Sequence, residues 1–258
     1  YYYELGNNLK YNLQENKYSY DLQVKKYNIL KNINLKINYK SEIKLVLIVG
    51  LPRCGSTILT KMLNYNNNFK DIGENLYSAK MIDLINNNLI DPIKKLDNFI
   101  QNNYSNKTID KTLNNYTLIG FLKSIFINCK IIHLKRNKYD QLWSNYSNLY
   151  GNGLIYTYNW ESLCQEYNIY QDYMKHWNNI HNDIFNLDYE ELIENPDKIM
   201  KNLFEYIDEE FNTDYNKFYK KTVSCNTSSS YQIKQPLNKK GIGKSNNYKN
   251  FMPNLNEK

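Results

Sequence analysis

An apolar run that leads directly into a glycine-containing loop most constrains the fold of this chain. Residues 44–49 read Lys-Leu-Val-Leu-Ile-Val, and Gly50-Leu-Pro-Arg-Cys-Gly-Ser-Thr57 follows them. The loop matches the phosphate-binding pattern G-x-x-x-x-G-K-[ST] at both glycines and at its last residue, but Ser56 occupies the lysine position. Such a loop binds an anion at a helix N-terminus. Because Arg53 is now the cation of the loop, the pattern predicts an anionic ligand other than a magnesium-bound triphosphate.

Length and composition predict one main globular domain. The chain has 258 residues, and 41% of them are hydrophobic, which is enough to bury one substantial core. The formal net charge of +7 suits an anionic cofactor or acceptor. The lysines are scattered along the chain and not clustered, so we expect a solvated basic surface and no nucleic-acid partner.

The cysteines and the hydropathy pattern exclude several other classes. Four cysteines lie far apart with no histidine at metal-ligand spacing, so neither a zinc site nor a disulfide framework is indicated. We interpret Cys54 as a small neutral side chain, because a thiolate in the loop would repel an incoming anion. No apolar run reaches membrane-spanning length, and the first residues show no signal pattern. We expect a cytoplasmic location if the protein is bacterial, or a secretory lumen if an anchor precedes Tyr1.

The chain divides into a short helical segment, residues 1–40, and a main domain, residues 41–258. Apolar residues recur at helical spacing in the first segment and predict buried stripes. These residues are Leu5, Leu9, Leu13, Leu22, Ile29 and Ile33. The segment fits the end of a tetratricopeptide array and fits a simple helical hairpin equally well.

From residue 44 onward, apolar strands alternate with helices, which predicts a parallel sheet covered on both faces. The predicted strands are 44–49, 130–135, 183–188 and a run that ends at Asp110. The predicted helices are 57–64, 75–88, 93–103, 115–127, 160–181 and 196–207. The tail from Ser224 is rich in serine, asparagine, lysine and glycine, and we expect it to be an extended loop over the sheet.

A second basic motif follows the strand predicted at 130–135. Arg136 comes directly after this strand, and Ser144 stands eight residues later. Because parallel sheets bind ligands at the carboxyl ends of their strands, Arg136 and Ser144 can converge on a second anion beside the first. A triphosphatase would need an aspartate at the end of such a strand to hold magnesium, whereas Lys135 and Arg136 are both basic. The two motifs together predict a nucleotide with two separate anionic groups and no metal ion.

These two motifs resemble those of the sulfotransferases that use 3′-phosphoadenosine 5′-phosphosulfate (PAPS), especially the branch of the tyrosylprotein sulfotransferases and of bacterial enzymes with tetratricopeptide repeats. The resemblance covers about residues 44–250. The loop at 50–57 is similar to the family's 5′-phosphosulfate loop, G-x-P-R-S-G-T-T, with departures at Cys54 and Ser56. The segment from Ile131 to Tyr146 resembles the family's 3′-phosphate segment.

Further motifs of the same family occur in the expected order. Gly73-Glu74 resembles the family's Gly-Glu pair, and Asp110-Lys111 with Asn115 resembles its Asp-Lys pair. The segment 188–192, Asp-Tyr-Glu-Glu-Leu, resembles Y-E-D-L, whose tyrosine lies near the adenine. Residues 227–236 and the pair Gly243-Lys244 resemble the closing nucleotide loop. Asn148 stands where the tyrosylprotein enzymes often have arginine, so the resemblance leaves the acceptor class open.

The resemblance implies a three-layer α/β fold with a phosphate-loop nucleotide site, PAPS as co-substrate, no metal ion, and transfer of a sulfuryl group to a hydroxyl. The acceptor could be a sugar, a lipid, a small molecule or a protein tyrosine. The implied catalytic residues are Glu74 as base, Lys111 and Ser229 at the leaving group, and Arg53. The residues implied to bind PAPS are Arg53, Cys54, Gly55, Ser56, Thr57, Arg136, Ser144, Tyr189, Ser229, Lys234 and Lys244.

Other interpretations remain open at this stage. A phosphate-loop kinase is a second enzyme class, although Ser56 and Arg136 disfavour it, and a catalytically inactive nucleotide-binding scaffold is a third function. Glu74 fits an exposed helix start, Lys111 fits a surface lysine, and Tyr189 fits a packing role. We interpret His133, which lies within a strand, as a core residue with its hydrogen bonds satisfied.

Overall fold

A single parallel sheet organises the protein. The structure, a computed structural model, describes residues 2–32, 37–65, 69–74, 76–87, 89–103, 106–150, 153–221 and 232–252. Within these residues the sheet has five strands in the order β2-β3-β1-β4-β5. The strands are β1 (Lys44–Val49), β2 (Lys70–Asp71), β3 (Lys107–Asp110), β4 (Cys129–Lys135) and β5 (Phe185–Asp188). The strand that precedes the phosphate-type loop is therefore the central one.

Helices connect and cover these strands. The α-helices are α1 (Tyr2–Asn12), α2 (Tyr20–Asn32), α3 (Ser56–Leu63), α4 (Leu76–Asn87), α5 (Asp91–Asn103), α6 (Ile119–Ile125), α7 (Lys138–Tyr146), α8 (Trp160–Ile180), α9 (Tyr189–Glu194) and α10 (Pro196–Tyr206). Short 3₁₀ helices lie at Leu113–Leu118, Ile155–Tyr158, Thr213–Lys220, Gln232–Lys234, Lys239–Gly241 and Lys244–Phe251.

Both faces of the central strand are buried, which explains its unbroken apolar sequence. Leu45, Leu47 and Val49 pack into one core with helices α4, α5, α6 and α8. Val46 and Ile48 point to the other face and pack with helices α3, α9 and α10. Alternate side chains of a strand point to opposite faces, so a strand covered on both sides must be apolar at every position. The expected α/β fold with a parallel sheet between two helical layers is confirmed.

The predicted elements differ from the observed ones mainly at their ends. The central strand has the predicted bounds, and the strand predicted to end at Asp110 does end there. The strands predicted at 130–135 and 183–188 begin one residue late and two residues early, respectively. The helix predicted at 115–127 is a 3₁₀ helix followed by α6, and β2 was missed because two residues are too few to show a periodicity. In the tail, residues 232–252 form three short 3₁₀ helices and not an extended loop, while 224–231 lie outside the described residues.

The predicted burial of apolar stripes in the first segment is wrong. Leu9 and Leu13 on the first helix are 60% and 78% exposed, and Leu22 on the second is 64% exposed. Leu5 and Ile29 are also exposed, and Ile33 lies outside the described residues. Helical spacing shows that residues share a face, but it does not show whether that face meets the rest of the protein.

Aromatic and polar side chains attach the two N-terminal helices instead. The Asn7 side chain donates a hydrogen bond to the Tyr146 carbonyl oxygen, at 2.8 Å. The ring of Tyr27 packs edge-on against that of Tyr173 on α8, with 4.3 Å between centroids. The helices therefore lie against α7 and α8 through tyrosine and asparagine. Leu30 on α2 is buried in the core, whereas Leu9, Leu13 and Leu22 face outward. The tetratricopeptide interpretation stays a prediction. No described helix combines the length and the hydropathy needed to cross a bilayer.

His133, on β4, sits in a closed hydrogen-bond network. Its Nδ1 lies 2.8 Å from Asn186 Oδ1, and its Nε2 lies 2.5 Å from the Tyr170 hydroxyl. Because an amide oxygen can only accept, Nδ1 donates and Nε2 accepts from Tyr170. This pairing suits a neutral imidazole, and burial lowers the pKa of His133 to about 4.

We expect this histidine to make the protein less stable in acid. In the unfolded chain His133 takes up a proton near pH 6.5, whereas in the folded protein it does so only near pH 4. Between these values the unfolded state binds more protons, so the free energy of unfolding falls as the pH falls, by at most about 1.4 kcal/mol per pH unit. Urea unfolding from pH 7 to pH 4.5 should show this dependence, and His133→Leu should reduce it. A slope that is the same in His133→Leu and in the control His176→Gln would contradict the assignment.

Candidate active site

The sheet order brings three loops to one edge. Strand β1 pairs with β3 on one side and with β4 on the other, all in parallel, with Leu47 opposite Asp110 and Val49 opposite His133. Parallel strands end at the same edge of a sheet, so the loops that follow β1, β3 and β4 are neighbours. The Gly50 amide donates to the Leu113 carbonyl at 3.1 Å and joins the loops after β1 and β3. The Lys111 amide donates to the carbonyl of Gly73, in the segment after β2, at 3.2 Å.

The loop after β1 has the shape of an anion-binding nest. Arg53 has a φ of 69° and Gly55 a φ of 103°, and α3 begins at the next residue. Gly55, which precedes this helix, has no side chain that could cap the first helical amides. At Gly50 the loop runs so close to β4 that a Cβ atom would lie 2.6 Å from the Leu134 carbonyl oxygen. Loop amides and a helix N-terminus together favour an anion.

The two predicted anion-binding segments contact each other. Arg53 Nε donates a hydrogen bond to Ser144 Oγ at 3.0 Å. Arg136 Nη1 donates to the Arg53 carbonyl oxygen at 2.8 Å, and its Nη2 donates to the Gly241 carbonyl oxygen. The structure therefore places Arg53, Arg136 and Ser144 together, although they come from the loops and helices that follow two different strands.

Arg136 is held by neutral groups. Its two hydrogen bonds go to carbonyl oxygens, and its guanidinium carbon lies 5.0 Å from the centroid of the Tyr189 ring. Among the described residues no carboxylate forms an ion pair with Arg136, and its buried Nε has no hydrogen-bond partner there. Arg136 is partly buried, and a partly buried cation without a countercharge gains from a ligand that supplies one. This environment fits an anionic ligand.

Tyr189 is a buried wedge between the loop and Arg136. A Cβ atom added to Gly55 would lie 2.5 Å from Cδ2 of Tyr189, so only glycine fits there. The packing role that the sequence left open for Tyr189 is thus observed, and its contact with a nucleotide stays a prediction.

Glu74 and Lys111 form an ion pair at the same edge. Lys111 Nζ lies 2.8 Å from Glu74 Oε1, and the lysine side chain is 11% exposed while the glutamate is 55% exposed. Asp110 precedes Lys111 and accepts a hydrogen bond from the Thr112 amide at 2.7 Å, which fixes the turn after β3. Burial raises the pKa of Asp110, and the bonds from Thr112 oppose that shift.

A cavity of about 840 Å³ is lined by Glu74, whereas Lys111 is not among the lining residues in the described part of the chain. On one side Arg53, Ser56, Thr57 and Glu74 line it. The cavity is also lined by residues of the α1–α2 connection, of α2 including Lys26, of the 3₁₀ helix after β3, of 149–150 and 153–156, and of α8. The cavity therefore joins the anion-binding loop to space large enough for a second molecule. In the described part of the chain, no group of three or more histidine, cysteine, aspartate or glutamate side chains is arranged to hold a metal ion.

The remaining predicted residues lie in varied positions. Cys54 is buried, and burial raises the pKa of its thiol to about 11, so the thiol is neutral at pH 7. Lys234 and Lys244 are exposed, and neither belongs to the cavity lining found among the described residues. Ser229 lies outside the described residues.

Several positioning residues were missed by the sequence analysis. Asp140 accepts hydrogen bonds from the amides of Gly243 and Ser245, at 2.6 and 2.7 Å, and so ties the tail to α7. From the same helix, Gln141 and Asn145 donate to the carbonyl oxygen of Pro52, at 3.2 and 2.9 Å. No sequence pattern marks these residues, because an acidic residue in a first helical turn and amides on a helix are common.

Comparison with known proteins agrees with this geometry. A sequence model described as "Sulfotransferase family" matches residues 84–213, which is half of the chain. The chain belongs to the sulfotransferase family. The matched stretch includes Lys111, Arg136 and Ser144 but not the loop at 50–57, so the loop is independent evidence for the same family.

One relative of this sulfotransferase-family chain is distant in sequence. An uncharacterized protein of Aquifex aeolicus (strain VF5) is 23% identical over 242 residues, which cover 80% of this chain and 31% of that protein. The chain thus spans about a third of the length of this relative.

Two solved structures share the fold. The sulfotransferase domain of the Synechococcus PCC 7002 olefin synthase has a TM-score of 0.58 and 16% identity, covering 88% of this chain and 94% of that one. Mouse sulfotransferase SULT7A1, solved in complex with PAP, has a TM-score of 0.53 and 17% identity, and the match covers 89% of this chain and 84% of that one. At such identities the similarity establishes the fold alone.

We expect Gly55→Ala to destabilise the protein more than a matched glycine substitution does. Gly153 has a similar φ of 111° but no atom within 4 Å of an added Cβ, so Gly153→Ala measures backbone strain alone. Gly55→Ala adds the collision with Tyr189 and should cost about 1–3 kcal/mol more. Urea unfolding at pH 7 measures both variants. Equal losses for the two would contradict the wedge role of Tyr189.

Proposed function

We propose that this protein transfers a sulfuryl group from PAPS to an acceptor hydroxyl. The observation that carries the proposal is the junction of two anion-binding segments, in which Arg53 contacts Ser144 and Arg136 contacts the backbone of Arg53. PAPS carries a phosphosulfate at one end of its adenosine and a phosphate on the ribose, so it needs two adjacent anion sites. The neutral surroundings of Arg136 and the uncapped start of α3 support the same ligand.

Each of the two segments binds a different anionic group of PAPS. The amides from Gly55 to Thr57 and the Arg53 guanidinium would hold the 5′-phosphosulfate, while Arg136 and Ser144 would hold the 3′-phosphate. The predicted contacts of Tyr189, Lys234, Lys244 and Ser229 complete the site. The backbone of Cys54 belongs to the loop, whereas its side chain is buried in the core on the α3 side of the sheet.

The transfer is an in-line displacement at sulfur. The acceptor oxygen forms a bond to sulfur while the bond from sulfur to the bridging oxygen breaks, and that oxygen leaves with adenosine 3′,5′-bisphosphate (PAP). Glu74 takes the proton of the acceptor hydroxyl. Lys111 neutralises the charge that develops on the bridging oxygen, and Ser229 donates a hydrogen bond to the same atom. Fixed cations here provide the stabilisation that metal ions provide in phosphoryl transfer.

The ion pair of Glu74 and Lys111 suits both roles. An ammonium group has three donors, so Lys111 can keep its bond to Glu74 and still donate to the bridging oxygen. As negative charge grows on that oxygen, Lys111 is drawn toward it, and Glu74 becomes a better base. The shared lysine thus couples proton removal to departure of the leaving group.

We expect the protein to bind PAP in the presence of EDTA, and Arg136→Ala to weaken that binding at least about tenfold, the usual effect of losing hydrogen bonds to a charged group. Lys130 lies at the other end of the same strand and pairs with Asp208. Lys130→Ala therefore removes an equal charge and should leave the affinity nearly unchanged. Isothermal titration calorimetry measures both, and PAP binding that requires magnesium would favour a kinase.

We expect Glu74→Gln and Lys111→Ala to lower kcat for transfer of labelled sulfate from PAPS by about 10²–10⁴-fold, the usual range for a lost general base or a lost charge at a leaving group. Glu74→Gln should keep its affinity for PAP within about threefold of wild type, because Glu74 acts on the acceptor. Lys111→Ala should also weaken PAP binding, because the bridging oxygen that Lys111 contacts stays with PAP. Glu42→Gln, an exposed carboxylate before β1, is the matched control. Tight PAP binding without transfer to sugar, lipid, phenol or peptide acceptors would favour the inactive scaffold.

A further inference from the structure

A carboxylate that the sulfuryl transfer does not use lines the same cavity. Glu166, on α8, accepts hydrogen bonds from the hydroxyl groups of Tyr18, at 3.1 Å, and of Tyr116, at 3.3 Å. Glu166 and both tyrosines belong to the cavity wall that Arg53 and Glu74 also line. A ligand in this cavity can therefore reach the proposed base and Glu166 at the same time.

Glu166 has no cationic partner within the protein. Among the described residues no lysine, arginine or histidine nitrogen lies within 4.0 Å of its carboxylate. Burial raises the pKa of Glu166, and the bonds from the two tyrosines and the more distant charge of Lys26 oppose that shift. A desolvated carboxylate that accepts only from neutral hydroxyls is incompletely compensated. It would gain from a ligand that brings a positive charge.

Aromatic rings surround this carboxylate. Tyr18 packs edge-on against Tyr156, with 6.3 Å between ring centroids, and Tyr116 packs edge-on against Tyr173, with 5.5 Å. All four rings line the cavity. Ring faces attract ammonium groups, and a carboxylate within a group of aromatic rings binds an amine better than it binds a neutral hydroxyl.

We propose that the acceptor of this protein is an amine-bearing alcohol or phenol. Its ammonium group binds Glu166 and is surrounded by the side chains of Tyr18, Tyr116 and Tyr156. The inference rests on the proposed sulfuryl transfer, because it places the acceptor hydroxyl at Glu74 and the ammonium group at Glu166. Lys17 and Lys26 also line the cavity, but neither forms an ion pair with Glu166, so a neutral sugar or lipid would leave this carboxylate without a direct cationic partner among the described residues. Tyr18 belongs to the connection between α1 and α2, so the N-terminal helices take part in acceptor selection.

Matched acceptor pairs test this inference on the full chain. Tyramine and 4-ethylphenol differ only in the amine, and glucosamine and glucose differ in an amine against a hydroxyl. We expect the amine-bearing member of at least one pair to have a kcat/KM at least about tenfold higher, as one charged hydrogen bond provides. Glu166→Gln should abolish this preference by lowering kcat/KM for the amine alone, while Glu166→Asp, which keeps the charge, should retain part of it.

The controls separate recognition from a structural role. Glu161 is an exposed carboxylate on the same helix, outside the cavity lining, and Glu161→Gln should leave the preference unchanged. The affinity for PAP should not change in any of these variants. Equal use of both members of each pair by the wild type would overturn the inference, as would an equal loss for both members in Glu166→Gln.

Direct binding distinguishes failure of this inference from failure of the proposed function. Calorimetry with tyramine and 4-ethylphenol on the PAP-saturated protein measures the amine preference without turnover. An amine preference that Glu166→Gln removes, in the absence of any sulfate transfer, would support the site and refute the transferase. Transfer without such a preference would support the transferase and refute the site.

Discussion

The parallel pairing of β1 with β3 and β4 is the constraint on which the rest of the site depends. Three parallel strands side by side must end at one edge, and each of the three is followed by a residue with a proposed role, namely Arg53, Lys111 or Arg136. The pairing is stable because β1 is apolar on both faces and each face belongs to a separate core. The arrangement of the candidate site therefore follows from the strand pairing of the sheet.

The contacts of Arg136 leave its positive charge available to bind an anion. Arg136 is held by two carbonyl oxygens and by the face of Tyr189, so its orientation is fixed without loss of its charge to a carboxylate. Tyr189 also touches Gly55, so one ring sets the distance between the loop after β1 and the arginine after β4. Glycine at this position is a packing requirement as well as a backbone requirement.

The N-terminal helices belong to the cavity and not only to the surface. Tyr18 and Tyr27 reach α8 through their hydroxyl groups and rings, while Leu9 and Leu13 face outward. Tyrosine combines an apolar ring with a polar tip, which suits a wall that is packed on one side and open on the other. The chain has 26 tyrosines, and Tyr77, Tyr158, Tyr170 and Tyr215 are among the largest fully buried side chains of the described residues.

Sequence alone determined the fold class, the central strand with its bounds, the anion-binding loop and the pairing of that loop with Arg136 and Ser144. These features depend on short-range patterns: apolar runs, glycines at fixed spacing, and residues directly after a strand. Only the tertiary structure decided which faces of α1 and α2 are buried, that Tyr189 wedges against Gly55, and that Asp140, Gln141 and Asn145 hold the loop and the tail. It also placed Glu166 beside Tyr18, which lies 148 residues away in the chain. Such contacts depend on how distant elements pack, and a helical period or a motif does not contain that information.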